Sequence, residues 1–144
     1  MVKGVAHLAF CVSDMEASLK FYETFGIKKV FSILSDENEP WIEYLKINNN
    51  QFIELFYSKE PFEPLPMWKQ RAYVHLCLAV DDIHAAAKAI TDAGYTLVVE
   101  PKQGKDNNWQ CWTCDPDGNA VEFMQMMPDA LQMKSCEADS GDIG

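Results

Sequence analysis

The sequence lacks any apolar run long enough to span a bilayer, and its opening residues, MVKGVAHLAF, lack a secretory signal pattern. Basic residues are also scarce, because 12 Lys and Arg stand against 22 Asp and Glu, which gives a formal net charge of −10. An acidic chain repels phosphate groups, so we expect no nucleic acid and no membrane surface as a partner.

The chain contains five cysteines, which is an odd number. An odd number of cysteines without an export signal predicts reduced thiols and a cytoplasmic protein. Cys111 and Cys114 have the C-x-x-C spacing of some metal and redox sites. They fall within a predicted strand, where residues three apart face opposite sides, so we assign neither kind of site to them.

What the chain does contain is a second copy of itself. The segment VAHLAFCVSDMEA (5–17) aligns with YVHLCLAVDDIHA (73–85), with an offset of 68 residues from His7 to His75. The same offset, without a gap, places Glu54 on Glu122. A repeat of this length is too long for a solenoid, so we interpret the chain as two fused copies of one supersecondary unit.

Each copy has the pattern of a strand, a helix and three further strands. The predicted strands are 4–12, 28–34, 41–47 and 51–57 in the first copy, and 72–80, 96–100, 108–114 and 119–126 in the second. A capping box, Ser13-x-x-Glu16, is predicted to begin the first helix, and Gly26 and Gly94 follow the two helix ends. Asp14 and Asp82 are expected to stabilise the helix N-termini.

The domain organisation follows from this repeat. We expect one α+β domain over residues 1–126, with module 1 at about 1–57, a Pro-rich linker at 58–70 and module 2 at about 71–126. Residues 127–144 show no clear period, so we expect a short packed segment and then a mobile acidic tail.

Four polar residues stand in strands that look apolar on both faces: His7, Glu54, His75 and Glu122. Taken singly, each is more simply a satisfied core histidine or a solvent-facing glutamate. Both copies, however, place His in the first strand and Glu in the last. Two imidazoles and two carboxylates suit a first-row divalent metal such as Ni²⁺, Zn²⁺, Fe²⁺ or Mn²⁺, and the two carboxylates balance its charge.

These residues, the opening VAHLAFCVSDMEASLKFYETFGI and the ending CDPDGNAVEFMQ resemble the vicinal oxygen chelate superfamily across about residues 3–126. The resemblance implies two tandem βαβββ modules that form a curved mixed sheet around a metal pocket, the glyoxalase/bleomycin resistance/dihydroxybiphenyl dioxygenase fold. The ligand order His, Glu, His, Glu is similar to that of glyoxalase I, whereas ring-cleaving dioxygenases use two His and one Glu. The implied metal is Ni²⁺ or Zn²⁺, with Fe²⁺, Co²⁺ and Mn²⁺ as alternatives.

The resemblance also implies a reaction. A glyoxalase I-like lyase or isomerase would convert the hemithioacetal of a 2-oxoaldehyde and a thiol into a 2-hydroxyacyl thioester through an enediolate. The metal would act as Lewis acid, and Glu122 or Glu54 would act as general base, with Glu122 favoured by analogy. A small-molecule substrate and a homodimer are implied as well. The four ligands could come from one chain or from two.

Two positions depart from the glutathione-dependent pattern. Those enzymes commonly carry an Arg four residues after the first metal His and an Asn four residues after the second ligand, where this chain has Cys11 and Ser58. Basic residues that could substitute are Lys69, Arg71, Lys102 and Lys105. The thiol co-substrate, glutathione or another, therefore stays open.

Two alternative functions remain. One is a metal-dependent isomerase or epimerase of the same superfamily that acts on a substrate other than a glutathione adduct. The other is a small-molecule, drug-binding protein, which suits the acidic charge but would not need four metal ligands.

Overall fold

The computed structural model describes residues 1–67, 69 and 72–140. Arg71 lies outside the described residues, as do linker residues 68 and 70 and the predicted end of the tail, 141–144. The chain forms two compact units. Unit 1 comprises Met1–Leu65 and Asp115–Gly118, and unit 2 comprises Pro66–Cys114 and Asn119–Gly144.

Unit 1 contains a four-stranded mixed sheet and one helix. Its elements are β1 (His7–Val12), α1 (Met15–Thr24), β2 (Lys28–Leu34), β3 (Pro40–Asn48) and β4 (Gln51–Tyr57). The strand order is β1-β4-β3-β2, with β1 parallel to β4 and the other pairs antiparallel. The first and last strands of the module are therefore neighbours.

Unit 2 repeats this arrangement and adds a third helix. Its elements are β5 (Leu76–Ala79), α2 (Ile83–Asp92), β6 (Val99–Gln103), β7 (Trp109–Cys114), β8 (Ala120–Gln125) and α3 (Leu131–Ser140). The order β5-β8-β7-β6 matches that of unit 1, again with the first and last strands parallel. The predicted pair of βαβββ modules is confirmed. No helix within the described ranges is both long and apolar enough to cross a membrane.

The strand bounds differ from prediction mainly in unit 2. β2 and β4 have the predicted bounds, whereas β5 begins only at Leu76, so that His75 directly precedes the strand instead of lying within it. The predicted bounds of β6, 96–100, are also wrong, because the strand occupies Val99–Gln103. The prediction that Cys111 and Cys114 share one strand is confirmed by β7.

The start of α1 corrects the predicted capping box. The N-cap is Asp14, whose Oδ1 accepts a hydrogen bond from the backbone N–H of Ala17, and not Ser13. Ser13 is instead bound to the buried Asp117, which accepts from its backbone N–H at 3.2 Å and from its hydroxyl. Asp carboxylates are strong caps, so the hydroxyl of Ser13 is available for this longer-range contact. Asp82 caps α2 as predicted.

Both module helices end at a glycine, as predicted. Gly26 has φ of +79° and Gly94 has φ of +83°, in the left-handed region that favours glycine. The backbone N–H of each glycine donates to a carbonyl in the last helical turn, from Gly26 to Glu23 and from Gly94 to Thr91. The chain therefore leaves both helices through the same kind of turn, toward β2 in unit 1 and toward β6 in unit 2.

Residues after β8 form more regular structure than predicted, since α3 occupies part of the expected tail. The fully buried Asn108 connects this segment to the β6–β7 loop. Its side-chain amide donates to Asp106 and Gln132, and its carbonyl oxygen accepts from the backbone N–H of Met127. The contacts with Gln132 and Met127 join residues distant in sequence, so no local period indicates them.

A buried carboxylate, Glu43, lies in β3 opposite Leu55, on the sheet face turned away from Glu54. Its carboxylate binds Lys29 Nζ at 2.7 Å and accepts from Ser32 Oγ at 2.6 Å and Tyr57 OH at 3.0 Å. Burial by itself raises the pKa of Glu43, but these three partners outweigh it and hold the pKa below its ordinary value. Glu43 is therefore a satisfied structural anion.

We expect Glu43→Gln to lower the free energy of unfolding by about 2 kcal/mol at pH 7, because charged hydrogen bonds are replaced by neutral ones. A lowered pKa stabilises the fold above the pKa of the unfolded chain, about 4.3, and this stabilisation is lost as the pH falls through the folded value. Urea unfolding from pH 7 to pH 3 should therefore show that the free energies of unfolding of the wild type and of Glu43→Gln converge. The exposed Glu39→Gln is the control, and a constant difference across pH would contradict this role for Glu43.

Candidate functional site

In unit 1, parallel pairing brings the predicted His and Glu together. β1 and β4 are in register with His7 opposite Phe52 and Ala9 opposite Glu54, so His7 and Glu54 project from the same sheet face. His7 Nδ1 lies 3.4 Å from Glu54 Oε1. The Glu54 residue is only 6% exposed, while the His7 side chain is 48% exposed. A buried carboxylate thus lies beneath a half-exposed imidazole.

Unit 2 contains the equivalent pair. β5 and β8 are in register with Cys77 opposite Glu122, and His75 precedes Cys77 by two residues. His75 Nε2 lies 3.1 Å from Glu122 Oε2. Glu122 is 3% exposed, and the His75 side chain is 33% exposed. Each unit therefore presents one histidine nitrogen next to one buried carboxylate oxygen.

The spacing within each pair suits two ligands of one metal ion. Nitrogen and oxygen ligands bind first-row metals at 2.0–2.2 Å, so adjacent ligands in an octahedral shell lie about 3 Å apart. The distances of 3.4 Å and 3.1 Å are close to this value. Within residues 1–67, 69 and 72–140, no group of three or more His, Cys, Asp or Glu side chains forms a metal-binding cluster. The structure thus describes two pairs, one in each unit.

Glu54 has a second partner, Tyr44, which lies directly opposite it on β3. The phenol hydroxyl donates to Glu54 Oε1, the same oxygen that His7 approaches. This hydrogen bond, and burial after it, raises the pKa of Tyr44. The phenol therefore stays protonated and acts as a hydrogen-bond donor to the carboxylate.

Glu122 has different neighbours, although it occupies the equivalent place. The counterpart of Tyr44 is Trp112, whose ring meets the His75 ring edge-on at 4.8 Å and whose indole N–H donates to Gln110. The thiol of Cys77 hydrogen-bonds to Glu122 instead. Cys77 as a whole residue is exposed. Burial around its sulfur and the adjacent carboxylate of Glu122 nevertheless raise the pKa of its thiol to about 12.

Burial raises the pKa of Glu122, and the carboxylate of Asp106 adds to the shift. Contacts with Cys77 and His75 act in the opposite direction without cancelling it. A buried carboxyl with a raised pKa next to a histidine is a typical feature of catalytic and metal sites. A cation at this place would favour the ionised form.

The four predicted residues form one His–Glu pair in each unit, whereas the residues that hydrogen-bond to the glutamates were not predicted. Cys77 could have been predicted, because it lies two residues after His75 and the parallel register of β5 and β8 sets it beside Glu122. Tyr44 could have been found only from the register of the β3–β4 hairpin. That register shifts between Lys46 and Asn48, so counting residues from the turn gives the wrong partner.

The positions that depart from the glutathione-dependent pattern lie in unit 1. Cys11 is exposed on β1, in register with Phe56, and the half-buried Ser58 donates its hydroxyl to the backbone carbonyl of Glu60. The candidate substitutes Lys69, Lys102 and Lys105 are exposed. Nothing in these contacts assigns a role in thiol binding to any of them.

The chain is similar in sequence to proteins of one superfamily. Residues 4–123 match the family model of the Glyoxalase/Bleomycin resistance protein/Dioxygenase superfamily. A probable lactoylglutathione lyase of Vibrio cholerae is 27% identical over 126 residues, which cover 84% of this chain and 89% of the relative. The lactoylglutathione lyase of Haemophilus influenzae is 26% identical over 128 residues, which cover 84% and 91%.

A solved structure of similar fold is a glyoxalase I variant from Zea mays, with a TM-score of 0.73 and 22% identity. The match covers 85% of this chain and 45% of the maize chain, so this chain spans less than half of that protein.

The raised pKa of Glu122 predicts a pH-dependent stability difference in metal-free protein. Such a group stabilises the fold fully below its unfolded pKa of about 4.3, and this contribution is lost as the pH rises through the folded pKa. Glutamine is neutral throughout, so Glu122→Gln should gain stability relative to the wild type between pH 4 and pH 8. Urea unfolding with a chelator present measures this. If the free energy of unfolding of the wild type increased relative to that of the variant as the pH rises, the prediction would be contradicted.

Proposed function

Because the chain belongs to the glyoxalase/bleomycin resistance protein/dioxygenase superfamily, we propose that it is a metal-dependent enzyme of the glyoxalase I type. It converts the hemithioacetal of a 2-oxoaldehyde and a thiol into a 2-hydroxyacyl thioester. The observation that carries the proposal is the buried carboxylate beside a histidine nitrogen in each unit. The relatives named lactoylglutathione lyase support the reaction class.

In this proposal one divalent ion, Ni²⁺ or Zn²⁺, is held by His7, Glu54, His75 and Glu122. The two imidazole nitrogens and two carboxylates form a neutral set with the ion, and all four belong to the donor types that first-row metals accept. When bound, the metal supplies a Lewis acid that polarises the vicinal oxygens of the substrate and stabilises the enediolate. The ligands come from one chain or from two chains.

Proton transfer is assigned to the glutamates, with Glu122 as the general base and Glu54 as the alternative. Glu122 removes the proton from the carbon next to the carbonyl, holds it on its carboxylate and returns it to the neighbouring carbon. The distance of 3.1 Å between His75 Nε2 and Glu122 Oε2 supports the assignment of both residues as ligands of one ion.

Apolar neighbours would limit access of water to these groups. Phe52 and Phe56 flank Glu54 on its own face of β4 and are half-buried, and Met124 follows Glu122 at the same spacing in β8. An enediolate is protonated readily by water, so a site lined by such side chains protects it until Glu122 delivers the proton.

A second candidate function is an isomerase or epimerase with the same proton transfer on a substrate other than a glutathione adduct. The specific observation in its favour is that Cys11, an exposed uncharged residue, stands where glutathione-dependent relatives carry Arg. The thiol group cannot form the bidentate contact with a carboxylate that a guanidinium forms. A drug-binding protein is a weaker candidate, because a histidine beside a buried glutamate in each unit has no role in it.

The protein is also proposed to be a homodimer. β2 is an edge strand of the unit 1 sheet, and exposed apolar side chains lie along it and at the start of β3: Val30, Phe31, Ile33, Leu34 and Trp41. An apolar edge strand is a site for association with another chain. A second copy of this chain is the partner that the superfamily resemblance favours.

The metal and the reaction can be tested together. Metal-stripped protein is loaded with Ni²⁺ or Zn²⁺ and assayed with methylglyoxal–glutathione hemithioacetal. We expect one tightly bound ion per site and turnover in the wild type. Glu122→Gln should retain part of the metal affinity and lose roughly 10²–10⁴-fold in kcat, the usual contribution of a general base.

Glu43→Gln is the matched control, because it removes a buried glutamate of unit 1 that is not at the site, and it should keep full activity per folded molecule. Tight metal binding without turnover of the hemithioacetal would favour the second candidate function. The absence of stoichiometric metal binding would contradict both enzyme proposals.

For the dimer, we expect the wild type to have twice the chain mass in light scattering after size-exclusion chromatography. Leu34→Glu should shift it toward the monomer, since a charge would be buried against apolar side chains. Val98→Glu, which changes an exposed apolar residue of unit 2, is the control. A wild type of single chain mass at all concentrations would refute dimerisation.

A further inference from the structure

The contact between Tyr44 and Glu54 breaks the internal symmetry of the chain. The two units repeat the His–Glu pair, but only unit 1 adds a phenol that donates to the carboxylate. At the equivalent place unit 2 has Trp112, whose N–H donates to Gln110. The same strand position thus has different chemistry in the two copies.

We propose that Tyr44 is a positioning residue that fixes the orientation of Glu54 as a metal ligand. This inference rests on the proposed function, since it takes Glu54 to be a ligand of the metal. It goes beyond the ligand set because it names a residue of β3 that no ligand position includes.

The geometry explains how Tyr44 acts. The Tyr44 hydroxyl donates to Glu54 Oε1, and His7 Nδ1 lies 3.4 Å from the same oxygen. A carboxylate oxygen has two lone pairs, so Oε1 can accept from the phenol with one and bind a cation beside Nδ1 with the other. A carboxylate that is hydrogen-bonded in this way has a fixed orientation, which is the usual effect of residues that bind a metal ligand from behind.

The ring of Tyr44 is itself restrained. It stacks on Phe31 with centroids 4.4 Å apart and an interplanar angle of 19°, and it meets Phe52 edge-on at 6.2 Å. Ring contacts of this kind limit the side-chain rotamers. The hydroxyl is therefore presented to Glu54 from a fixed direction.

The test compares Tyr44→Phe with Tyr57→Phe, each of which removes one phenol–glutamate hydrogen bond from the same sheet. Tyr57 donates to Glu43 on the opposite sheet face, so its variant controls for lost stability alone. We expect Tyr44→Phe to weaken Ni²⁺ binding about 10–100-fold in chelator competition, the usual cost of losing such a partner. Tyr57→Phe should bind Ni²⁺ as the wild type does.

A spectroscopic readout separates positioning from general destabilisation. Ni²⁺ loading should perturb the near-ultraviolet tyrosine absorption of the wild type and of Tyr57→Phe, and this signal should be absent in Tyr44→Phe. Equal Ni²⁺ affinity in wild type and Tyr44→Phe overturns the positioning role while the proposed function stands. A wild type that does not bind Ni²⁺ or Zn²⁺ overturns the proposed function and the inference with it.

Discussion

Parallel pairing of the first and last strand in each module is the constraint on which the site depends. In β1 and β4 this pairing sets His7 and Glu54 on one sheet face, and in β5 and β8 it sets His75 beside Glu122. The residues of each pair are 47 apart in the chain, from His7 to Glu54 and from His75 to Glu122. No local structure could bring them within 3.4 Å and 3.1 Å, so the site is a product of sheet topology.

Two buried carboxylates of this protein have pKa shifts in opposite directions. Glu43 is surrounded by a lysine, a serine and a tyrosine, and its pKa is lowered as expected for a stable anion. Glu122 has a thiol and a histidine instead, and burial raises its pKa. In metal-free protein the ionised form of Glu43 therefore stabilises the fold, whereas ionisation of Glu122 lowers its stability. Such a cost is common where a residue serves function.

Much of the fold could be predicted from the repeat. The gapless offset from His7 to His75 implied two equivalent modules, and the strand order of the two sheets confirms them. The His and Glu positions followed from the same alignment, because the duplicated units share one topology. Glycine at each helix end and Asp14 and Asp82 at the helix starts were local signals that the structure retains.

What could not be predicted depends on contacts between distant residues. Ser13 matched a capping box, but its hydroxyl binds Asp117, which is far along the chain. The position of Tyr44 opposite Glu54 depends on a shift in hairpin register, and α3 is joined to the β6–β7 loop through Asn108 and Gln132. Tertiary packing determines such contacts, and neither hydrophobic periodicity nor secondary-structure propensity predicts them.

The central claim is that both His–Glu pairs supply the ligands of one metal ion. X-ray absorption of Ni²⁺-loaded protein tests this most directly, because it reports ligand atoms and imidazoles around the metal. The account predicts a first shell of nitrogen and oxygen only, with scattering from two imidazoles, and loss of one imidazole in His75→Gln. Sulfur in the first shell, or a single imidazole in the wild type, would contradict it and would assign the metal to a different set of residues.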